Sequence, residues 1–166
     1  MTTPIRTDFV DGDDGPAGEV NAAYLNNLGA IVNSLSGPPA AASASVATTE
    51  ATSSTAYTDL ATTTDTVDVT IGEHGIALVA VTGWMHGGAA GRIAYIGFTM
   101  SGANIQAASD LYATYLSTPS SGGTQGSSAF VLTGLTPGLT TFKMKYRSSS
   151  TGACDFANRT IGVLSW

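Results

Sequence analysis

The sequence predicts a mainly β protein: an antiparallel β-sandwich or jelly roll, preceded by an N-terminal arm and one helix. Three observations carry this. Beyond residue 57 apolar residues recur with period two in short segments. Gly, Pro and Ser clusters separate those segments at regular spacing. Apolar residues make up 43% of the 166 but charged residues only 11%, against roughly 25% in an average domain. The core is therefore ample, and surface polarity comes from Thr, Ser, Asn and Gly.

Taken in order, residues 1–15 read as an extended, turn-rich arm ending in "DGDDG". Pro16 suits a first helical position, Asp14 or Gly15 can cap the free amides, and Glu19 complements the helix dipole. The helix is expected to run to Leu35. Its apolar stripe is Tyr24, Leu28, Ile31 and Leu35, widened by Leu25 and Val32. Gly37, Pro38 and Pro39 end it. An isolated helix of this length is marginal in water, so the stripe needs a partner. Residues 1–37 form the expected anchor, 38–56 an Ala/Ser/Thr/Pro linker, and 57–166 the β domain. A flexible linker of about 20 residues spans roughly 25 Å, a tether rather than a turn.

Within the β domain, "TVDVTI" (66–71) alternates cleanly. "IALVAVTGW" (76–84) is apolar on both faces, as a strand covered on both sides should be. "GGAAG" (87–91) turns the chain into "RIAYIGFTM" (92–100). Further strands are expected at 110–117, 127–133, 140–148, 153–157 and 160–166. In "TFKMKYR", Phe142, Met144 and Tyr146 should face inward and Lys143, Lys145 and Arg147 outward.

Little in the sequence points to catalysis, and the expectation is a protein that is not an enzyme and holds no cofactor. An EF-hand loop starting at Asp11 would put ligands and a glycine where Gly15, Pro16 and Ala22 stand, so no metal is expected there. His74 and His86 read as turn and strand-end residues. "GGAAG" leads into a strand and lacks the helix N-terminus that holds phosphate. There is no G-x-S-x-G elbow, and the single cysteine, Cys154, has no histidine near it in sequence. Most of the net charge of −6 lies in residues 1–37, where Arg6 faces Asp8, Asp11, Asp13, Asp14 and Glu19. An acidic chain does not suit nucleic acid. No apolar run is long enough to insert in a membrane. The first residues lack the apolar run of a signal peptide, so ordinary export is not expected.

Two stretches of the β domain, "STAYTDLATTTDTVDVTIGEHGIALVAVTG" and "LTGLTPGLTTFKMKYRSSSTGACDFANRTIGVL", resemble a β-sandwich of accessory virion proteins in tailed bacteriophages of actinobacteria. "TDFVDGDDGPAGEVNAAYLNNLGAIVNSL" is similar to the arm-plus-helix that opens many phage fibre, minor tail and decoration proteins. The resemblance implies a homotrimeric knob, shaped like the tumour-necrosis-factor-like jelly rolls and held on the outer surface of the virion. Its partners would be major capsid or tail proteins, docked by Phe9, Tyr24, Leu25, Leu28, Ile31, Val32 and Leu35. Such a protein is made in the host cytoplasm. A host-surface glycan is a further candidate partner; Trp84, Tyr95, Tyr112 and Tyr115 are the aromatics that could take a sugar.

Overall fold

Alternating apolar residues become strands when a neighbour supplies the hydrogen bonds, and in this chain the neighbours come from far away in sequence. The computed structural model describes residues 26–28, 39–117 and 122–166. The chain divides into residues 1–38 and 39–166. In the first unit, residues 26–28 are helical. In the second, nine strands follow: β1 (Ala40–Val46), β2 (Glu50–Thr52), β3 (Thr66–Ile71), β4 (Ala77–His86), β5 (Ile93–Gly102), β6 (Thr114–Ser117), β7 (Thr124–Leu132), β8 (Gly138–Ser148) and β9 (Cys154–Ser165). They form two antiparallel sheets. One has the order β1-β9-β4-β7, with β2 pairing β9 beyond the end of β1; the other has the order β3-β8-β5-β6.

The core lies between the sheets. Val67, Val69 and Ile71 of β3, Ile96 and Phe98 of β5, and Phe142 and Met144 of β8 face Val79, Val81 and Met85 of β4 and Phe156, Ile161 and Val163 of β9. Phe98 gathers Phe142, Phe130 and Tyr112 around it with ring centroids 6.0–6.2 Å apart, a spacing at which aromatic pairs attract. The expected alternation of β8 holds: Phe142, Met144 and Tyr146 are buried, and Lys143, Lys145 and Arg147 lie on the other face.

Three expectations need correction. Of the linker expected at 38–56, the described residues, 39–56, are not a flexible tether. Residues 40–46 pair with Arg159–Ser165 of β9, and residues 50–52 pair with Cys154–Phe156. Ala42 and Ala44 pack on the core and Val46 is buried. Alternating Ala and Ser gives almost no hydrophobic contrast, so the segment reads as linker; the unpaired edge of β9 makes it a strand. The strand expected at 110–117 begins with a 3-10 turn, Asp110–Tyr112, that sends the Tyr112 ring toward the core. The two last strands expected at 153–157 and 160–166 are one, bent by a bulge. The β4–β9 register shifts between Thr82 and Trp84, and Asn158 takes a left-handed conformation with φ 48°. Buried positions change there from 154 and 156 to 159, 161, 163 and 165.

A chain of residues 39–166 should therefore fold and melt cooperatively, whereas residues 53–166, which lack β1 and β2, should not. Circular dichroism melts of the two truncations check this; a cooperative melt of 53–166 would restore the tether.

Candidate functional site

Of the seven residues expected to dock on a partner, Leu28 is described: it is helical and 45% exposed. Phe9, Tyr24, Leu25, Ile31, Val32 and Leu35 lie outside the described residues, as do the arm and the "DGDDG" turn. The β unit itself offers three places where polar or apolar groups converge.

The first is buried. Arg159, turned inward by the bulge, is 0% exposed. Its Nη1 donates to Glu50 Oε2 at 2.7 Å, and its Nε lies 3.8 Å from Asp65 Oδ2. Asp65 in turn accepts from the Tyr146 hydroxyl. The backbone amide and hydroxyl of Thr62 both donate to Glu50 Oε1, at 2.8 and 2.7 Å. Gly83, close to this arginine, leaves room for Ile96: a Cβ there would stand 2.5 Å from Ile96 Cδ1. Burial alone would raise the Glu50 carboxyl, but hydrogen bonds from Thr62 and Arg159 outweigh it and hold Glu50 below its ordinary value. Burial raises Asp65 against the opposing pull of Tyr146 and Arg159, and it raises the Tyr146 hydroxyl too. Sequence reasoning missed this cluster. Its one signal was Glu50, an acid isolated in a run of Ala, Ser and Thr.

The second is the outward face of the β1-β9-β4-β7 sheet. Register aligns Ala41, Leu164, Leu78 and Val131 in one row across the four strands. Ser43, Gly162, Ala80 and Ala129 form the next, and Ser45, Thr160, Thr82 and Ser127 a third. No ionisable side chain occurs in these rows. A groove of about 400 Å³ runs between Ala41, Ser43, Leu78, Ala80, Gly162 and Leu164. At the far end of β4, Trp84 stacks against His86 with centroids 5.9 Å apart, and His86 Nδ1 lies 3.1 Å from Asp155 Oδ2.

The third is the outward face of the other sheet, which is polar and ion-paired. Lys143 and Lys145 both reach Asp59, at 3.0 and 2.7 Å. Arg147 binds Asp110 and stacks on Tyr95. Of the four aromatics expected to serve a sugar, this face brings together Tyr95 and Tyr115, centroids 5.5 Å apart. Tyr112 turns toward Phe98 and Phe130 in the core, and Trp84 stands on the other sheet.

Among the described residues no three His, Cys, Asp or Glu side chains converge as a metal site would require. Cys154 is buried, its Sγ 3.3 Å from Ser148 Oγ, and burial raises its thiol, which makes it a poor nucleophile.

Comparison with solved structures finds this sandwich elsewhere. It is similar to Eiger TNF from S. frugiperda, at 19% identity over 78% of this chain and 94% of that one, with a TM-score of 0.50. It is also similar to a chain in the structure of infectious bursal disease virus, Gx strain, at 10% identity over 78% of this chain and 33% of that one, with a TM-score of 0.52. At these identities the likeness is one of fold, and the fold is a TNF-like jelly roll. No protein-family model matches the chain, and no curated protein matches it in sequence.

Replacing Glu50 by Gln removes the carboxylate hydrogen-bonded to the buried Arg159 guanidinium and leaves only Asp65, 3.8 Å away, as counter-charge, which should cost about 3 kcal/mol. Acid should act on the same pair. Glu50, Asp59 and Asp110 are held below their ordinary values, so the stability they add is present above about pH 4.5 and lost as pH falls through their folded values. Asp65, raised, acts in the opposite sense. Asp59 and Asp110 are exposed enough to add little, so Glu50 dominates. Urea unfolding at about pH 7 and about pH 3 should show the loss in the native chain and a smaller one in Glu50→Gln.

Proposed function

We propose that the chain is a non-enzymatic structural protein of a tailed-phage virion, held on the particle's outer surface by its N-terminal arm and helix and presenting the jelly roll as a homotrimeric knob. The resemblance of both parts of the sequence to accessory virion proteins supports the location. One observation carries the assembly: the outer face of the β1-β9-β4-β7 sheet has the composition of a covered surface. β4 is apolar on both sides, and the second sheet covers only the side that holds Ala77, Val79, Val81 and Met85. The other side presents Leu78 and Ala80, with Leu164 36% and Val131 67% exposed.

An uncharged apolar patch of this kind is uncommon on a monomer and common at an interface. Small residues along its middle rows, Ser43, Gly162, Ala80 and Ala129, allow close approach of another backbone. The opposite sheet bears ion pairs and stays toward solvent. A closed ring of three copies buries one such face per subunit. Anchorage falls to the other unit, where the stripe containing Leu28 would meet a capsid or tail protein.

Light scattering at micromolar concentration should give three times the chain mass of 16.7 kDa. Ala80→Glu, in the middle of the face, should give monomers with an unchanged β spectrum, because the carboxylate is solvated in the monomer and buried without a partner in the trimer. Leu28→Asp should keep the trimer and lose occupancy on particles that lack the protein. Monomer mass for the native chain, or full occupancy for Leu28→Asp, would remove the corresponding half of the proposal.

A further inference from the structure

The outer face of the β3-β8-β5-β6 sheet carries a constellation that assembly and anchorage do not use. Register places Tyr115, Tyr95 and Arg147 side by side on three neighbouring strands. The Arg147 guanidinium lies 3.6 Å from the centroid of the Tyr95 ring, and Tyr115 leans on Tyr95 at 5.5 Å with 32° between the planes. Arg147 is fixed from behind. Its Nε donates to Asp110 Oδ1 at 2.9 Å and its Nη2 to Oδ2, the two-pronged geometry that orients a guanidinium. The Tyr57 hydroxyl donates to the same Oδ1 at 3.0 Å. Tyr57 can lie across the strand because residue 97 is glycine; a Cβ there would be 3.1 Å from its ring. The outermost members of the stack are open: Tyr115 is 62% exposed, and the Asp110 side chain 57%.

We infer that this stack is a binding platform for a neutral glycan. A sugar ring has an apolar face of C–H groups and a rim of hydroxyls. Tyr115 offers a flat apolar surface that leans on Tyr95, itself held by Arg147, so side-chain freedom lost on binding is reduced. Asp110 uses its oxygens to accept from Arg147 and Tyr57 and keeps lone pairs toward solvent for sugar hydroxyls. Charge balance selects a neutral ligand. Lys143 and Lys145 share Asp59, Arg147 pairs with Asp110, and Asp68 of β3, which accepts from the Thr141 hydroxyl on the same face, supplies the third carboxylate, so the face has no excess of positive charge to attract a sulfated or acidic sugar. The rows beside the stack, Gly97 with Lys145 and Thr99 with Lys143, are polar and lack the wide dry patch that a protein ligand would bury.

The inference goes beyond the virion reading and does not rest on it, since the test uses the purified full chain. Saturation-transfer NMR and calorimetry would be run with neutral gluco-, manno-, galacto- and arabino-oligosaccharides, and with one sulfated and one sialylated oligosaccharide. At least one neutral oligosaccharide should bind. Tyr115→Ala should weaken that binding by about tenfold, or about 1.4 kcal/mol, with no change in thermal melting. Tyr115→Trp should preserve binding, and Val131→Ala on the opposite sheet should leave it unchanged. Absence of binding by every neutral oligosaccharide at about 10 mM, tighter binding of the sulfated or sialylated one, or an affinity that Tyr115→Ala does not alter would overturn it.

Discussion

The bulge at Asn158 and the arginine it turns inward set the conditions for the rest of the sandwich. A strand normally buries every second residue, and in β9 that series begins with Cys154 and Phe156. The extra residue at the bulge moves the series onto Arg159, Ile161 and Val163. A fully buried guanidinium is tolerable only beside a carboxylate. Glu50 provides it from β2 at 2.7 Å, Asp65 approaches from the loop before β3, and Tyr146 of β8 holds Asp65. One charge thus ties β2 and β9 of one sheet to β8 of the other. Its Nε and Nη2 have no hydrogen-bond partner among the described residues, so the arrangement is costly as well as specific. It rewards the pairing that puts Glu50 in place and penalises other registers.

Two sheets packed face to face leave two outward surfaces, and here they differ in kind. On the β1-β9-β4-β7 side three successive rows hold only Ala, Gly, Leu, Val, Ser and Thr. On the other side lie the cations of β8, each paired with an aspartate from a loop or turn: Asp59 before β3 and Asp110 before β6. The contrast follows from strand order. β9 and β4 lie in the middle of the first sheet, and the outward residues at their paired ends, Leu78 and Ala80 of β4 and Gly162 and Leu164 of β9, are apolar or small, while β8 alternates Phe, Met and Tyr with Lys and Arg. A surface without charges favours association with another apolar surface; a surface of matched ion pairs remains in water and can carry aromatic rings held by their neighbours.

Period-two alternation showed β3 and β8, where the contrast between apolar and polar neighbours is large, and short apolar runs bounded by Gly, Pro and Ser showed β4, β5 and β7 and the sandwich they build. The sequence by itself also determined the inward set of β8 and the stop after β4 at "GGAAG". Tertiary structure decided the rest. Residues 40–52 have too little hydrophobic contrast to declare a strand, and only the open edge of β9 makes them one. The bulge in β9 reads as a break because a one-residue slip reverses the pattern that announces a strand. Arg159 looks like a surface cation until Glu50, 109 positions earlier, is brought to its side. The neighbourhood of Tyr115, Tyr95 and Arg147 exists only through the registers of β6, β5 and β8. A sequence lists which side chains can face outward; which of them share a face is set by hydrogen-bonded pairing between distant segments, and no local period encodes that.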